Sequence, residues 1–458
     1  MIRIDSTLQP SALAHPIERL FELSAQKIAA LDRRWDPAAG TPVFTAAGRY
    51  TSRGWTEWTQ GFQFGAAILQ FDATGDAGML DIGRRNTVRH MASHVSHVGV
   101  HDHGFNNVST YGSLLRLAHE GRIAATEWEV EFYRLALKLS GAVQAARWTA
   151  LPDAGGYIHS FNGPHSLFAD TMRSLRSLAL AHQLGHALMG ERDRRIPLLS
   201  RLIAHADANN RYNVYYGEGR DSYDVRGRVA HESVFNVTDG SYRCPSSQQG
   251  YAPFTTWTRG LAWVLLGCAE QLEWFATLDS AEFEPFGGAK PVAGRFLAAA
   301  RATADFYLAN TPTCGVPYWD TGAPGLARMG DYLDRPADPY NDHEPVDSSA
   351  AAIAAQGLIR LGLYLRGDDR AAADRYLAAG LSVARTLFDE PYLSTDPAHD
   401  GLLLHVVYHR PNGWDHVPPG RRIPCGESAM WGDYHLRELA LMIRRMARGE
   451  PYYAFFAI

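Results

Sequence analysis

The chain has 458 residues, of which 46% are hydrophobic and 20% charged, so a large core is available and composition excludes a disordered chain. Its 44 basic residues against 49 acidic ones leave a formal charge of −5, which excludes a general attraction to nucleic acid or to an anionic membrane surface. Four cysteines (Cys244, Cys268, Cys314, Cys425) form no CxxC pair and no zinc spacing. No apolar run has the length of a leader or a membrane span. The expectation is a soluble, cytoplasmic protein.

In chain order, apolar residues recur at three and four spacing over 15–32, 57–73, 77–95, 108–118, 125–140 and 166–184. The same period continues over 190–208, 256–275, 293–309, 347–366, 370–388 and 427–448. Breakers separate several segments: Thr74-Gly75-Asp76, Asp153-Ala154-Gly155-Gly156 and Arg366-Gly367-Asp368-Asp369. Asp347-Ser348-Ser349 and Glu427-Ser428 read as helix starts. No βαβ alternation and no phosphate-binding glycine motif occurs. Twelve helices in one chain predict six hairpins closed into a single (α/α)6 barrel over 1–458, with one deep mouth. The irregular stretch near 209–255 is rich in Tyr, Gly, Asn and Arg, and is expected to line that mouth.

Four constellations carry chemistry. In His101-Asp102-His103-Gly104-Phe105 a carboxylate sits among histidines, glycine and an aromatic ring; the alternative is a helix-capping Asp102. Asp170 interrupts an apolar run and must be exposed, paired to Arg173, or functional. Two such acids in an aromatic cleft suit general acid–base work on a sugar. Near Gln249, Trp257, Arg259 and Trp263 combine a fork for a carboxylate with rings for a sugar face. Met430-Trp431-Gly432-Asp433-Tyr434 either lines the mouth or anchors the last helix. His90 and His94 have i, i+4 spacing but lack the glutamate of HExxH, so no metal is expected.

These segments resemble glycoside hydrolase family 88, the unsaturated glucuronyl hydrolases, and the related unsaturated rhamnogalacturonyl hydrolases. The motifs, in order, are WTQGFQF at 58–64, HDHGF at 101–105, FADTMRS at 168–174 and QGYAPFTTWTRGLAW at 249–263. VPYWD at 316–320, DSSAAAIAAQGL at 347–358 and WGDYHLREL at 431–439 follow. The resemblance implies an (α/α)6 barrel without metal or organic cofactor. It implies Asp170 as general acid/base and Asp102 as its partner. It places His231, Gln249, Arg259 and Trp263 against an unsaturated uronic acid, with Trp58, His101 and Trp257 also at the substrate. The region 420–428 lacks the Ser-x-Ser-x-Lys pattern that some members use for sulfated substrates, which leaves the leaving sugar open.

The implied substrate is an oligosaccharide ending in a 4,5-unsaturated uronic acid, a vinyl ether carrying a carboxylate. Hydration of that double bond needs a protonated acid, so Asp170 is expected to have a raised pKa from burial and the Asp102 charge. Alternatives are an unsaturated rhamnogalacturonyl hydrolase, a hydrolase of saturated glucuronides, or a catalytically silent sugar-binding α/α barrel. Oligomeric state is not legible.

Overall fold

The computed structural model describes residues 1–53, 57–153 and 155–458. Ala154, within the break expected at 153–156, lies outside the described residues. The helices are α1 (Ala14–Arg34), α2 (Gln60–Thr74), α3 (Ala77–His90), α4 (Ala92–Val95), α5 (His103–Asn107), α6 (Ser113–His119), α7 (Glu127–Ala146), α8 (Thr171–Ser174), α9 (Arg176–Gln183), α10 (Leu198–Tyr212), α11 (Thr258–Phe275), α12 (Ala289–Ala309), α13 (Ser348–Tyr364), α14 (Arg370–Leu387) and α15 (Met430–Arg448). Contacts run α2 to α5, α5 to α8 and α9, α8 to α11, α11 to α13, α13 to α15, and α15 back to α2. That circuit closes an inner ring of six helical positions. Outside it, α1 and α3 pack on α2, α7 and α10 on α9, α12 on α11 and α14 on α13. This is the (α/α)6 barrel that the periodicity predicts.

Local chemistry accounts for many of the helix starts. Asp76, Asp347 and Asp369 accept backbone N–H groups at the starts of α3, α13 and α14, and Thr126 with Glu129 forms a capping box before α7. Glu427-Ser428 does not cap α15: Ala429 holds that position without a side-chain bond, while Glu427 instead accepts from Thr45 Oγ1 (2.5 Å). The inner helices are buried nearly all round, whereas α1 and α14 bury one face, as expected for two concentric layers. Glycines let inner elements touch. A Cβ on Gly104 would meet the Ser174 carbonyl at 2.1 Å, and one on Gly61 the Asn106 carbonyl at 2.3 Å.

Short strands occupy the connections between helices: β1 (Pro42–Ala46) with β2 (Arg49–Ser52), β3 (Trp148–Ala150) with β4 (Gly156–Ile158), β5 (Ser166–Phe168), β6 (Ala187–Met189) with β7 (Arg195–Pro197), β8 (Glu232–Phe235) and β9 (Tyr242–Ser246). The order β5-β8-β9 is antiparallel, with Phe168 opposite Glu232. The segment 166–184 is therefore not one helix. Its first three residues are β5, and Asp170 sits at the junction before α8. The segment 190–208 likewise begins in the β6–β7 hairpin.

Charge is buried within the helical layers. Arg173 donates to Glu270 (Nε–Oε2 3.0 Å) and to Glu438 (Nη2–Oε2 2.8 Å), with Arg176 3.8 Å from each acid. Arg173 is thus committed to these glutamates. Against the desolvation of burial, Arg173 and Arg176 hold the Glu438 carboxyl down to about 2. Glu438→Gln leaves the two guanidiniums with one acid fewer, and about 3–5 kcal/mol of stability is expected to be lost near neutral pH. Because the folded-state pKa is depressed below the ordinary 4.5, this contribution is present above that value and fades as pH falls toward about 2. Urea unfolding of wild type and variant across that window checks both magnitude and sign; parallel curves at all pH values would contradict it.

Candidate active site

Six inner positions bring residues to the mouth at their N-terminal ends. Trp58 precedes α2, Asp102 precedes α5, and Asp170 precedes α8. Trp257 and Arg259 begin α11, Asp347 precedes α13, and Trp431 lies in the first turn of α15. Between them is a narrow cavity. Trp58, His101, Asp102, Asp170, Gln249, Trp257, Arg259 and Trp263 line it, so eight of the nine residues expected from sequence converge. His231 is the exception. Its Nδ1 accepts the backbone N–H groups of Gln248 (3.0 Å) and Gln249 (3.2 Å), which places its proton on Nε2. It positions the glutamine loop and packs against Phe168 and Trp257, with ring centroids 4.4 and 4.8 Å away.

The two acids are held by different devices. The His101 carbonyl accepts from Gln144 Nε2 (2.8 Å) and Ser174 Oγ (2.7 Å). Ser174 lies on α8, four residues after Asp170, and its Oγ also accepts from the Gly104 N–H (3.0 Å). One serine thus ties the HDHGF segment to the Asp170 helix. Ala169 N–H donates to the His231 carbonyl (2.9 Å), fixing the β5–α8 junction from the other side. Asp102 makes no capping hydrogen bond to α5, which removes the capping alternative.

His101 lies between the carboxylates. Its Nε2 is 3.4 Å from Asp170 Oδ1 and 3.7 Å from Asp102 Oδ1. Both ring nitrogens and Asp170 Oδ1 are buried, and His101 acts on Asp170 through hydrogen bonding and charge together. Burial lowers the imidazole pKa, but the two carboxylates overcome it and the net direction is up. Burial, with the Asp170 charge, raises Asp102 despite His101. Asp170 moves the other way: burial raises it, and the adjacent imidazolium more than cancels that, leaving it below the ordinary carboxyl value. The raised Asp170 expected from sequence is therefore reversed, because that reading counted Asp102 as the neighbour and not His101.

Arg259 is saturated by protein. Nη1 donates to Asp347 Oδ2 (2.8 Å) and to the Val407 carbonyl; Nη2 donates to Gln249 Oε1 (3.2 Å) and the Tyr408 carbonyl (2.8 Å). Its guanidinium is sandwiched, 4.7 Å from the Trp257 ring and 4.9 Å from Trp431. Trp431 in turn stacks on Trp58 at 5.0 Å, so the tryptophan of the last helix supports the wall from behind. Five further lining residues escaped the sequence reading: Val100, Phe161, Gln248, Tyr408 and His409. The last two come from an irregular segment whose N–H groups Asp415 accepts, and no local pattern marks them. Among the described residues no three His, Cys, Asp or Glu side chains group as a metal site.

No family model matches the chain. It is 26% identical to an unsaturated glucuronyl hydrolase of Bacillus sp. (strain GL1) over 418 residues, covering 90% of this chain and 92% of the relative. It is 24% identical over 396 residues to an unsaturated chondroitin disaccharide hydrolase of Streptococcus agalactiae serotype III (strain NEM316), covering 84% and 80%. Over most of its length the chain is similar to unsaturated glucuronyl hydrolases. Its fold is theirs: it matches the crystal structure of the Bacillus sp. GL1 enzyme with a TM-score of 0.69 at 22% identity, over 96% of this chain and 97% of that one. It matches an unsaturated glucuronyl hydrolase specific for heparin with a TM-score of 0.71 at 17% identity, over 95% and 98%. These relatives and neighbours are glycoside hydrolases.

The cluster of His101, Asp102 and Asp170 makes a spectroscopic prediction. Each carboxylate stabilises the imidazolium, so Asp102→Asn and Asp170→Asn should each lower the His101 pKa. Nitrogen-15 chemical shifts of the labelled ring, assigned by their loss in His101→Gln, measure it. A His101 titration that neither substitution moves would show that the three groups are not coupled.

Proposed function

We propose that the chain is an unsaturated glucuronyl hydrolase that releases a 4,5-unsaturated uronic acid from the non-reducing end of lyase-derived oligosaccharides. The observation that carries this reading is the pair of carboxylates on either side of His101, inside an aromatic cavity on a barrel whose relatives perform that reaction. Asp170 is the proton donor. Its proton goes to C4, and positive charge develops on C5 and the ring oxygen. Asp170, now a carboxylate, takes a proton from water as the water oxygen bonds to C5. The hemiketal opens by breaking its C5–O bond, and the resulting C1 hemiacetal expels the next sugar as an alcohol.

Within the cluster the proton affinities of His101 and Asp102 are raised and that of Asp170 is lowered. The uronate brings a further negative charge into the same cavity and displaces water, and both changes raise the proton affinity of Asp170. Asp102 hydrogen-bonds sugar hydroxyls and offsets the charge that develops at C5. The uronate carboxylate is received by the Gln249 amide, whose Oε1 is taken by Arg259 and whose Nε2 remains a donor. Arg259 contributes its charge from behind, and His231 keeps the loop in register. Trp58, Trp257 and Trp263 form the apolar walls against the sugar.

The test is incubation with unsaturated disaccharides from several lyases while the double bond's ultraviolet absorbance is followed. Unchanged absorbance with every substrate would overturn the reading. Turnover of saturated glucuronides alone would replace it with displacement at C1.

Asp170→Asn keeps the shape but has no proton to give, and turnover should fall on the order of a hundredfold or more while substrate binding survives. Stopped assays with calorimetric binding of the same disaccharide separate the two quantities. Near-normal turnover in folded Asp170→Asn protein would rule out this role. Arg259→Lys releases the fork that holds Gln249, so KM should rise roughly tenfold with a smaller change in kcat. The wild type should prefer the free acid over its methyl ester, and the variant should lose that preference. A wild type indifferent to esterification would show that the carboxylate is not read here.

A further inference from the structure

Away from the catalytic cavity, an open groove runs along the outer helix α10 between the β3–β4 and β6–β7 hairpins. Five arginines and two aspartates line it. Asp207 is held by Arg295 through two bonds of 2.7 and 2.9 Å, and Asp153 by Arg211 at 2.8 Å. Arg194, Arg195 and Arg201 form no ion pair among the described residues, in a chain whose overall charge is −5. Local positive charge here runs against the average of the molecule.

The groove is shaped as well as charged. On α10 the positions Arg201, Ala204, Ala208 and Arg211 fall on one face, so small residues floor the space between two arginine positions about 15 Å apart along the axis. The Arg201 guanidinium lies 3.8 Å over the Trp148 ring, and its Nε is buried without a hydrogen-bond partner. Burial and the nearby Arg194 charge lower the Arg201 pKa to about 10, a strain that an anion would relieve. The β6–β7 turn that presents Arg194 and Arg195 holds Arg192 and Asp193 in the left-handed region (φ 56° and 59°), conformations that side-chain-bearing residues adopt at a cost.

We propose that this groove is a second binding site, for a linear saccharide bearing carboxylate or sulfate groups on successive sugars. Its length exceeds a single anion, and forked guanidiniums suit both groups. A nucleic acid fits less well. Single strands are gripped by stacking on open aromatic faces, and Arg201 already covers one face of Trp148. Choosing saccharides among polyanions rests on the proposed function; the binding itself does not. The site would hold acidic chains near an enzyme that consumes their unsaturated ends.

The experiment measures binding without turnover. A fluorescent oligogalacturonate octasaccharide, a heparin-derived octasaccharide, a neutral maltooligosaccharide and a single-stranded DNA of similar length are titrated with the intact protein at low and high salt. At least one acidic saccharide is expected to bind, more weakly in high salt, with the neutral chain inert. Preference for one of the two acidic probes assigns carboxylate or sulfate. Arg194→Ser/Arg195→Ser, at exposed positions, and separately Arg201→Gln, should each weaken binding roughly tenfold or more. Turnover of an unsaturated disaccharide should be unchanged in both. Absence of binding to either acidic saccharide, equal binding by the double variant, or DNA binding as tight as the saccharides would overturn the proposal. An enzyme that binds the octasaccharide but hydrolyses nothing would overturn the proposed function alone.

Discussion

One imidazole facing two carboxylates in a buried cavity is the arrangement on which the rest of the structure depends. Any of the three groups alone would lose its charge at such burial. Together they keep charge by sharing it, and the sharing sets which group carries the proton. That balance is sensitive to tenths of an ångström, so the three must not drift. The barrel meets this requirement by placing His101 and Asp102 at the start of one inner element and Asp170 at the start of the next, and cross-tying the two. Gln144 and Ser174 grip the His101 carbonyl, and the β5–β8 pairing grips the residue before Asp170. The close approach at Gly104 makes the tie possible; a methyl group there would push the two elements apart.

Arg259 does the same for the opposite wall. Its fork joins the start of α13 through Asp347, the glutamine loop through Gln249 and the irregular segment through two carbonyls. Asp347 both caps α13 and neutralises the guanidinium, so one carboxylate serves packing and electrostatics. A cation sandwiched between Trp257 and Trp431 and bonded on both nitrogens is rigid, and rigidity lets the Gln249 amide stay pointed at the cavity without a substrate to order it.

The fold was legible in the sequence because every helix pair writes its own period, and twelve such segments leave few closed solutions. The mouth was less legible. Strands of three residues, such as β3 to β7, are too short to show alternation. The continuous apolar run Leu167-Phe168-Ala169 reads equally as buried strand or buried helix, which is why Asp170 was placed inside a helix rather than at a junction. The HDHGF and QGYAPFTTW segments announced themselves through residue types that have no cheap structural use. Tyr408 and His409 did not, because their position is fixed by Asp415 and Arg259 from afar. His231 was legible as a site residue but not as a support, since only geometry shows its Nδ1 accepting two backbone N–H groups.

The reversal at Asp170 shows where residue-by-residue reading stops. Two acids near one sugar suggest a raised pKa in the donor, and that inference is sound for a pair. Adding the histidine that sits between them turns a pair into a triad and inverts the direction for the acid closest to the imidazole. Motif order identifies the participants, but the sign of each interaction depends on distances of 3.4 and 3.7 Å that no spacing in the chain encodes.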